Sequence, residues 1–279
     1  MVHRWRCRHC QYTVWSASRQ STVTDVGTHM LSHHRNRISD DELQISWSCP
    51  YCETTGRETD RDDGIQAFKR HLFDHVEPLL ESGVHVAEDI NGSGSVAVLG
   101  PLESDGVNNA RVHFHSPCDI VVFVTTDPVE RLRLLDRTLQ SWPAWTVVIT
   151  TKEEPLAGLT DIDPAVIPLE VVSLQKSLGL RDLGETISSV VAQQEAAAGK
   201  LSVEFDILPE IIETFDLQTV FKFLHTLDAR LREASALSHY YVDPRAQSES
   251  TVNVVGEVFD MRLDATGETF TSRSSTPDS

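Results

Sequence analysis

From about residue 95 onward, short apolar runs alternate with amphipathic stretches. The apolar runs are rich in Val and Ile and are bounded by polar residues, so they predict six strands, at 95–99, 119–126, 145–150, 169–173, 201–207 and 236–242. The stretches between them place apolar residues every three or four positions and predict three helices, at 128–141, 182–198 and 217–234. Alternating strands and helices indicate an α/β fold, with helices on both faces of a mainly parallel sheet.

The first 87 residues contain an internal repeat with a period of 42 residues. The stretch "WRCRHC" (5–10) recurs as "WSCPYC" (47–52), and each cysteine pair is followed after eighteen residues by two histidines. The members of the repeat are Cys7, Cys10, His29 and His33 in the first copy and Cys49, Cys52, His71 and His75 in the second. His34 adjoins His33, but the 42-residue offset to His75 selects His33.

This ligand pattern predicts two zinc ions (Zn2+) per chain. Two thiolates on a tight knuckle supply one edge of a tetrahedron, and two histidines at i and i+4 on one helix face supply the other. Four protein ligands leave no open position, so both sites are predicted to be structural. A redox pair or a disulfide is the alternative use of each Cys-x-x-Cys. Neither explains the recurring histidines, and an intracellular chain disfavours disulfides.

Each copy resembles a two-Cys, two-His (C2H2-type) zinc finger, on the residues "CRHC…HMLSH" and "CPYC…HLFDH". The resemblance implies a small metal-held module over residues 1–39 and another over 40–87. The spacer between the ligand pairs is eighteen residues here, against about twelve in the family. The segment before each ligand-bearing helix is therefore left open as a loop or a hairpin.

The net charge and the lysine content indicate the kind of organism and the compartment in which the protein works. The 279 residues carry 24 basic and 42 acidic side chains, a net charge of -18, and only five of the basic residues are Lys. This composition resembles proteins of salt-accumulating halophilic archaea, with an ordinary acidic cytosolic protein as the alternative. No apolar run approaches the roughly 20 residues of a membrane helix, and no apolar segment follows the basic N-terminus. We expect a cytoplasmic protein without membrane contact.

The basic residues are concentrated at the start of the chain. Residues 1–39 hold six Arg and one Asp, and aromatic residues are interleaved with them: Trp5, Tyr12 and Trp15. Nucleic acid binding through residues 4–37 is therefore one hypothesis. The rest of the chain is acidic, however, and phosphate contacts weaken steeply with salt. We expect the partner to be another protein.

The second half of the chain is similar to RecA/KaiC-like domains, and to a haloarchaeal subgroup of them without assigned activity. The similarity rests on "DIVVFVTTDPVERLRLLDRTLQSWP", on "LSVEFDILPEIIETFDLQTVFKFLHTLDARLREASALSHYYVDP" and on "TVNVVGEVFDMRLDA". It implies a RecA-like domain over residues 95–265. Residues 88–94 would then be a linker, and residues 266–279, which end in "SRSSTPDS", a disordered tail.

In RecA/KaiC-like domains a Gly-x-x-x-x-Gly-Lys-Ser/Thr loop after the first strand binds ATP. Gly100 and Gly106 correspond to the two glycines, but Val107 and Asn108 stand where Lys and Ser/Thr belong. The paired glutamates that end the second strand are reduced to Asp127. The match to the Walker B position is Asp206; its alternative role is that of a solvated strand-end carboxylate. The resemblance therefore implies a degenerate nucleotide site.

Together these features predict a non-catalytic, zinc-binding regulatory or scaffold protein that makes macromolecular contacts through its fingers and its RecA-like domain. A nucleic-acid-binding transcriptional regulator that uses the basic first finger is the alternative. An ATP-binding protein whose lysine comes from elsewhere, such as Lys176, is a third hypothesis. The sequence leaves the oligomeric state open.

Overall fold

A computed structural model describes residues 2–34, 38–41, 44–175, 179–194 and 199–272. The chain divides into two compact units. The finger unit consists of the residues up to Val84 together with those from Glu268 on, and the α/β unit runs from His85 to Gly267. Among the described residues, no helix is both long and apolar enough to span a membrane.

The finger unit repeats one strand–knuckle–strand–helix motif. In the first copy the elements are β1 (His3–Arg6), β2 (Thr13–Ser16) and α1 (Arg19–His33). After β3 (Ile38–Asp41), the second copy contains β4 (Gln44–Ser48), β5 (Thr55–Glu58) and α2 (Arg61–Val76). Both pairs of strands are antiparallel hairpins with the cysteine knuckle at the turn. The eighteen-residue spacer thus contains a strand and more than two turns of helix before the first histidine.

Two further strands complete the finger unit. β6 (Glu81–Ser82) pairs with β1, and β14 (Thr269–Ser272) pairs antiparallel with β2. The strand at Thr269–Ser272 corrects the prediction of a disordered tail from residue 266. Thr269 and Phe270 are buried in this unit, which outweighs the polar composition of the segment. Residues 273–279 lie outside the described part of the chain.

The α/β unit is built on a parallel sheet, which confirms the predicted fold class. Its strands are β7 (Gly94–Leu99), β8 (Ile120–Val124), β9 (Trp145–Thr150), β10 (Leu169–Ser173), β11 (Leu201–Phe205), β12 (Leu237–Val242) and β13 (Met261–Thr266). They lie in the order β10-β9-β8-β11-β12-β7-β13, and each neighbouring pair is parallel. The residues predicted as linker form a short 3-10 helix, Val86–Ile90, and the turn before β7.

The helices in the described part of the α/β unit are α3 (Asp105–His113), α4 (Pro128–Thr138), α5 (Leu180–Gln194), α6 (Leu208–Thr214), α7 (Leu217–Glu233) and α8 (Glu249–Gly256). Leu224 of α7 and Ile187 of α5 pack against Val122 and Val203 on one sheet face. Leu132 of α4 packs against β8 residues on the other face. Strands buried on both faces explain the nearly continuous apolar runs in the sequence.

Candidate metal centres and a buried ionic cluster

The first cysteine knuckle and the end of α1 bring four side chains together. Cys10 Sγ lies 3.3 Å from His29 Nε2 and 3.9 Å from His34 Nε2. Cys7 Sγ lies 3.4 Å from the same nitrogen of His34. These four residues form cluster 1, and their ligand atoms all lie within 4.8 Å of one another.

The second knuckle and α2 form cluster 2, which contains Cys49, Cys52, His71 and His75 within the same 4.8 Å limit. Cys52 Sγ lies 3.2 Å from His71 Nε2, and the Nε2 atoms of the two histidines are 3.2 Å apart. A hydrogen bond with the Thr54 hydroxyl lowers the pKa of Cys52 to about 6. This thiol is therefore mostly thiolate at neutral pH, which is the form that binds a metal ion.

The repeat is preserved at the level of hydrogen bonds. In both knuckles the N–H of the first cysteine donates to the carbonyl five residues later, at 2.9 Å. The N–H two residues after that cysteine points to its sulfur, at 3.5 Å in cluster 1 and 3.3 Å in cluster 2. The recurring tryptophans contact the first histidine of each cluster, Trp5 with His29 and Trp47 with His71. Neighbouring groups thus orient the ligands in the same way twice.

Both donor sets fit a tetrahedral metal ion. Bond lengths typical of zinc, about 2.3 Å to sulfur and about 2.0–2.1 Å to nitrogen, give edges of about 3.6 Å between sulfur and nitrogen and about 3.3 Å between nitrogens. The observed sulfur–nitrogen separations run from 3.2 to 3.9 Å, and the nitrogen pair of cluster 2 is 3.2 Å apart. Each cluster supplies four protein ligands, so it can hold an ion with a complete coordination shell.

The fourth member of cluster 1 is His34 and not the His33 that the sequence repeat predicted. The offset of 42 residues presumes that both helices end alike, but α1 ends at His33 and α2 continues past His75 to Val76. His34 is the C-cap of α1, with φ -115° and ψ 18°, and its ring turns back to the knuckle. The side chain of His33 is exposed. The ligand spacing is therefore five residues in cluster 1 and four in cluster 2.

The histidine assignment predicts a difference between two adjacent substitutions. His34→Ala is expected to lower the metal content of the purified protein by one ion per chain, because three ligands remain in cluster 1. His33→Ala, the matched control, is expected to leave the content unchanged. Elemental analysis of both variants measures this directly. Metal retained by the His34→Ala protein and lost by the His33→Ala protein would return the assignment to His33.

The two clusters are joined through one hydrophobic core. Tyr51, from the second knuckle, places its hydroxyl 3.7 Å from Cys7 Sγ and 3.3 Å from Met30 Sδ of the first finger. Its ring also packs against His75 of cluster 2. Burial raises the pKa of Tyr51 well above its ordinary value, so the hydroxyl keeps its proton and can donate to sulfur. The two fingers therefore form a single packed unit.

The tryptophan and tyrosine rings of the basic segment are not available to stack on bases. All three of its aromatic residues are buried in the finger unit: Trp5, Tyr12 and Trp15. Arg4 is ion-paired, whereas Arg6 and Arg8 are exposed. Arg35 and Arg37 lie outside the described residues. The described part of this segment presents exposed positive charge without an exposed Trp or Tyr ring.

The loop between β7 and α3 is filled by protein. A Cβ at Gly100 would lie 2.9 Å from the carbonyl oxygen of Ala265, and one at Gly106 would lie 3.0 Å from backbone atoms of Ala265 and Thr266. The glycines therefore let β13 approach the loop closely. Val107, which the resemblance to RecA/KaiC-like domains aligned with the ATP-binding lysine, is fully buried.

Asp127, another position of the expected nucleotide site, lies at the start of α4. Asp127 is the exposed N-cap of α4, and its carboxylate lies 4.0 Å from Lys152 Nζ. Lys176, the lysine considered as a substitute, lies outside the described residues. Asp127 therefore sits beside a solvated lysine rather than in a paired-carboxylate site.

Asp206 belongs to a buried ionic cluster under α3 and α4. The guanidinium of Arg111 bonds Glu204 through Nε at 3.0 Å and contacts Asp206 through Nη2. The Thr125 hydroxyl donates to Asp206 at 3.1 Å. Arg131 lies 3.6 Å from Asp206 and 4.0 Å from Glu204. Two cations thus balance two carboxylates. The carboxylate of Asp206 contacts Arg111, Arg131 and Thr125 instead of facing solvent.

Two buried histidines extend this cluster along β11 and β12. His115 Nε2 lies 3.0 Å from Glu204, and the Ser202 hydroxyl lies between His115 and His239, at 3.4 and 3.1 Å. His239 Nδ1 is 2.7 Å from the hydroxyl of Tyr241. Ser202 donates to a backbone carbonyl at 3.0 Å, so its proton is not directed at a base. Every ring nitrogen has a partner, which favours a structural network over a metal site or a catalytic triad.

The surroundings of Glu204, His239 and Tyr241 determine the protonation state of each of these side chains. Burial alone raises the pKa of a carboxyl group, but the hydrogen bond from His115 and the charge of Arg111 outweigh it and hold the pKa of Glu204 well below its ordinary value. Burial lowers the pKa of His239 and raises that of Tyr241, so both stay neutral. Glu204 is therefore a buried anion that is stabilised by His115 and Arg111.

The sequence predicted one member of the buried ionic cluster, Asp206, and did not predict the other members. Asp206 was identified from its strand-end position, whereas Arg111, His115 and His239 carried no spacing signal. Arg111 and His115 lie 93 and 89 residues from Glu204 along the chain. One usable signal is His239 itself, because a histidine inside the apolar run "LSHYYV" needs a buried polar partner.

Residues 93–265 match a family described as a family of unknown function, DUF7504. Among solved structures, a protein of Pyrococcus horikoshii OT3 from a structural study is 15% identical, covering 66% of this chain and 88% of its own, with a TM-score of 0.42. An uncharacterised Pyrococcus horikoshii protein in complex with an unknown peptide is 11% identical, covering 62% of this chain and 77% of its own, with a TM-score of 0.41. No curated protein matches.

Proposed function

Because the chain belongs to the DUF7504 family of unknown function through residues 93–265, we propose its role from its own side chains. It acts as a non-catalytic regulatory or scaffold protein. Two zinc ions hold the finger unit in shape, and the α/β unit is a degenerate RecA/KaiC-like domain that presents a contact surface. The partner is another protein.

Zinc is the ion that this donor chemistry favours. Each cluster combines two thiolates with two imidazoles in a near-tetrahedral arrangement, which is the set typical of structural zinc. Carboxylate-preferring ions such as magnesium or calcium would find no oxygen ligand in either cluster. A module this small has little core of its own, so the ion supplies much of its folding free energy.

The single observation that carries the non-catalytic assignment is the pairing of Arg111 with Asp206 and Glu204. A carboxylate in the Walker B position serves catalysis by holding magnesium beside a nucleotide. Here an internal cation takes that place, and the neighbouring loop is packed against β13 at Gly100 and Gly106. These contacts support the proposal of a RecA-like scaffold in which a stabilising ionic cluster stands where the nucleotide site would be.

Nucleotide turnover by the full-length protein tests this proposal. With magnesium and ATP, we expect no binding heat in calorimetry and no phosphate release above the buffer rate. Asp206→Asn provides the decisive comparison. Hydrolysis by the wild type that disappears in this variant would show that Asp206 is catalytic, and the non-catalytic assignment would be wrong.

The nucleic-acid alternative keeps one supporting observation, the exposed charge of Arg6 and Arg8. To operate in a salt-accumulating cell, such binding has to survive molar potassium chloride, in which the Debye length falls to about 3 Å and contacts made by charge alone are lost. We expect a gel-shift titration to show release under that condition, and a pull-down to keep its partner after nuclease treatment. Retention of nucleic acid at molar salt would favour the alternative.

A further inference from the structure

The parallel sheet of the α/β unit has a topological switch point between β8 and β11. From β8 the chain continues to β9 on one side, and from β11 it continues to β12 on the other. The helices that follow lie on opposite faces, since Leu132 of α4 packs against Phe123 while Leu224 of α7 packs against Val122. The loops after β8 and β11 therefore diverge. In open α/β sheets, ligands bind in the crevice that such a divergence leaves at the carboxyl ends of the strands.

A cavity of about 180 Å³ occupies this crevice. Its floor is formed by apolar side chains from the strand ends and the next helices, among them Ile149, Leu183, Ile207 and Ile211. The volume exceeds the roughly 150 Å³ of an apolar cavity known to admit benzene. Neither Gly100, which follows β7, nor Gly106, in the first turn of α3, lines this cavity.

The rim of the cavity is polar and carries negative charge. Thr126, Glu210 and Thr214 line it and are exposed. The Thr126 hydroxyl donates to Oε1 of Glu210 at 3.0 Å, which fixes the carboxylate at the mouth. Among the described residues that line the cavity, Glu210 carries the only charge. The carboxylate of Glu210 repels anions, so the described lining favours a cationic or neutral ligand over a phosphate or a carboxylate.

We propose that this crevice binds a compact apolar molecule that carries one amine-type donor group. The apolar body enters the floor between the strand ends, and the amine meets the Glu210 carboxylate at the rim. Burial of the body supplies affinity, and the single carboxylate selects a cation or a neutral donor over an anion. The site would let the α/β unit respond to a small molecule without turning it over.

Three probes of similar size test the proposal on the full-length protein: benzylamine, benzyl alcohol and benzoate. Ligand-observed NMR should show the highest affinity for benzylamine and a lower affinity for benzyl alcohol. It should show no binding of benzoate. Glu210→Gln is expected to remove the preference for benzylamine over benzyl alcohol. Absence of binding by all three probes at millimolar concentration, or binding of benzoate as tight as that of benzylamine, would overturn the proposal.

A matched pair of substitutions locates the binding. Thr214→Trp places a large ring at the mouth, so we expect it to reduce benzylamine binding at least tenfold. Glu213→Trp puts the same ring on the adjacent exposed residue of α6, which does not line the cavity, and binding should persist. Equal loss or equal retention in the two variants would show that the probe binds elsewhere. Thermal melts verify that both variants are folded.

Discussion

Cys49→Ser is expected to release one zinc ion per chain and to unfold the finger unit. Removal of one thiolate leaves cluster 2 with three ligands. Structural zinc contributes about 10–16 kcal/mol in small finger modules, and a whole domain is stable by only about 5–15 kcal/mol. Loss of one ion therefore exceeds the stability that the apolar contacts of the finger can supply.

Because the two fingers share one core, Cys49→Ser is expected to unfold the first finger as well as the second. Tyr51 connects the second knuckle to Cys7 and Met30, so disorder of cluster 2 exposes the side of cluster 1 as well. We expect tryptophan fluorescence to report exposure of both Trp5 and Trp47. The α/β unit has its own core and should melt at nearly its original temperature.

Cys118→Ser is the matched control for the loss of a thiol. Cys118 is exposed in the α/β unit and belongs to neither cluster. Its replacement should leave two zinc ions and both transitions in place. Retention of two ions by the Cys49→Ser protein would mean that Cys49 is not a ligand.

Arg111→Met is expected to destabilise the α/β unit by about 3–5 kcal/mol, the usual cost of leaving a buried charge without its partner. Methionine fills much of the same space, but Glu204 and Asp206 would then share only Arg131, at 4.0 and 3.6 Å. Urea melts at constant salt measure the difference. Arg133→Met is the control, because its partners on α4 and at Asp161 are solvated and such pairs contribute little to stability.

The deficit of the Arg111→Met protein is expected to depend on pH through the two buried carboxyl groups. In the wild type the pKa of Glu204 is depressed, so its contribution is present above the unfolded pKa and is lost only as pH falls through the lower folded value. The pKa of Asp206 is raised by burial, and the charge of Arg111 is the main influence that opposes this rise. Without Arg111 the pKa of Asp206 rises further, so the variant loses stability as pH rises through it. The deficit of the variant should therefore be larger at pH 8 than at pH 5. A deficit independent of pH would assign the loss to packing.

The sequence predicted what depends on local periodicity. The 42-residue offset identified seven of the eight cluster members that the structure brings together, and the apolar runs identified the strands of the parallel sheet up to β12. His34 was missed because the offset carries no information about where α1 ends. The final strand was missed because Thr269 and Phe270 become buried only through pairing with β2.

The ionic cluster could not be predicted from one sequence. Its members come from α3, α4, β11 and β12, and only the folded sheet brings them together. Glu204 and Asp206 are two residues apart in the sequence, which places two carboxylates on one strand face. Whether such a pair faces solvent, magnesium or an internal cation depends on Arg111, whose position on α3 has no local signature.

The metal content of the wild-type protein tests the central claim most directly. Full-length protein purified without chelators is subjected to elemental analysis, with protein concentration determined independently. We predict two zinc ions per chain, one bound by Cys7, Cys10, His29 and His34 and the other by Cys49, Cys52, His71 and His75. A zinc content near zero, with no other thiolate-binding metal in its place, would contradict it.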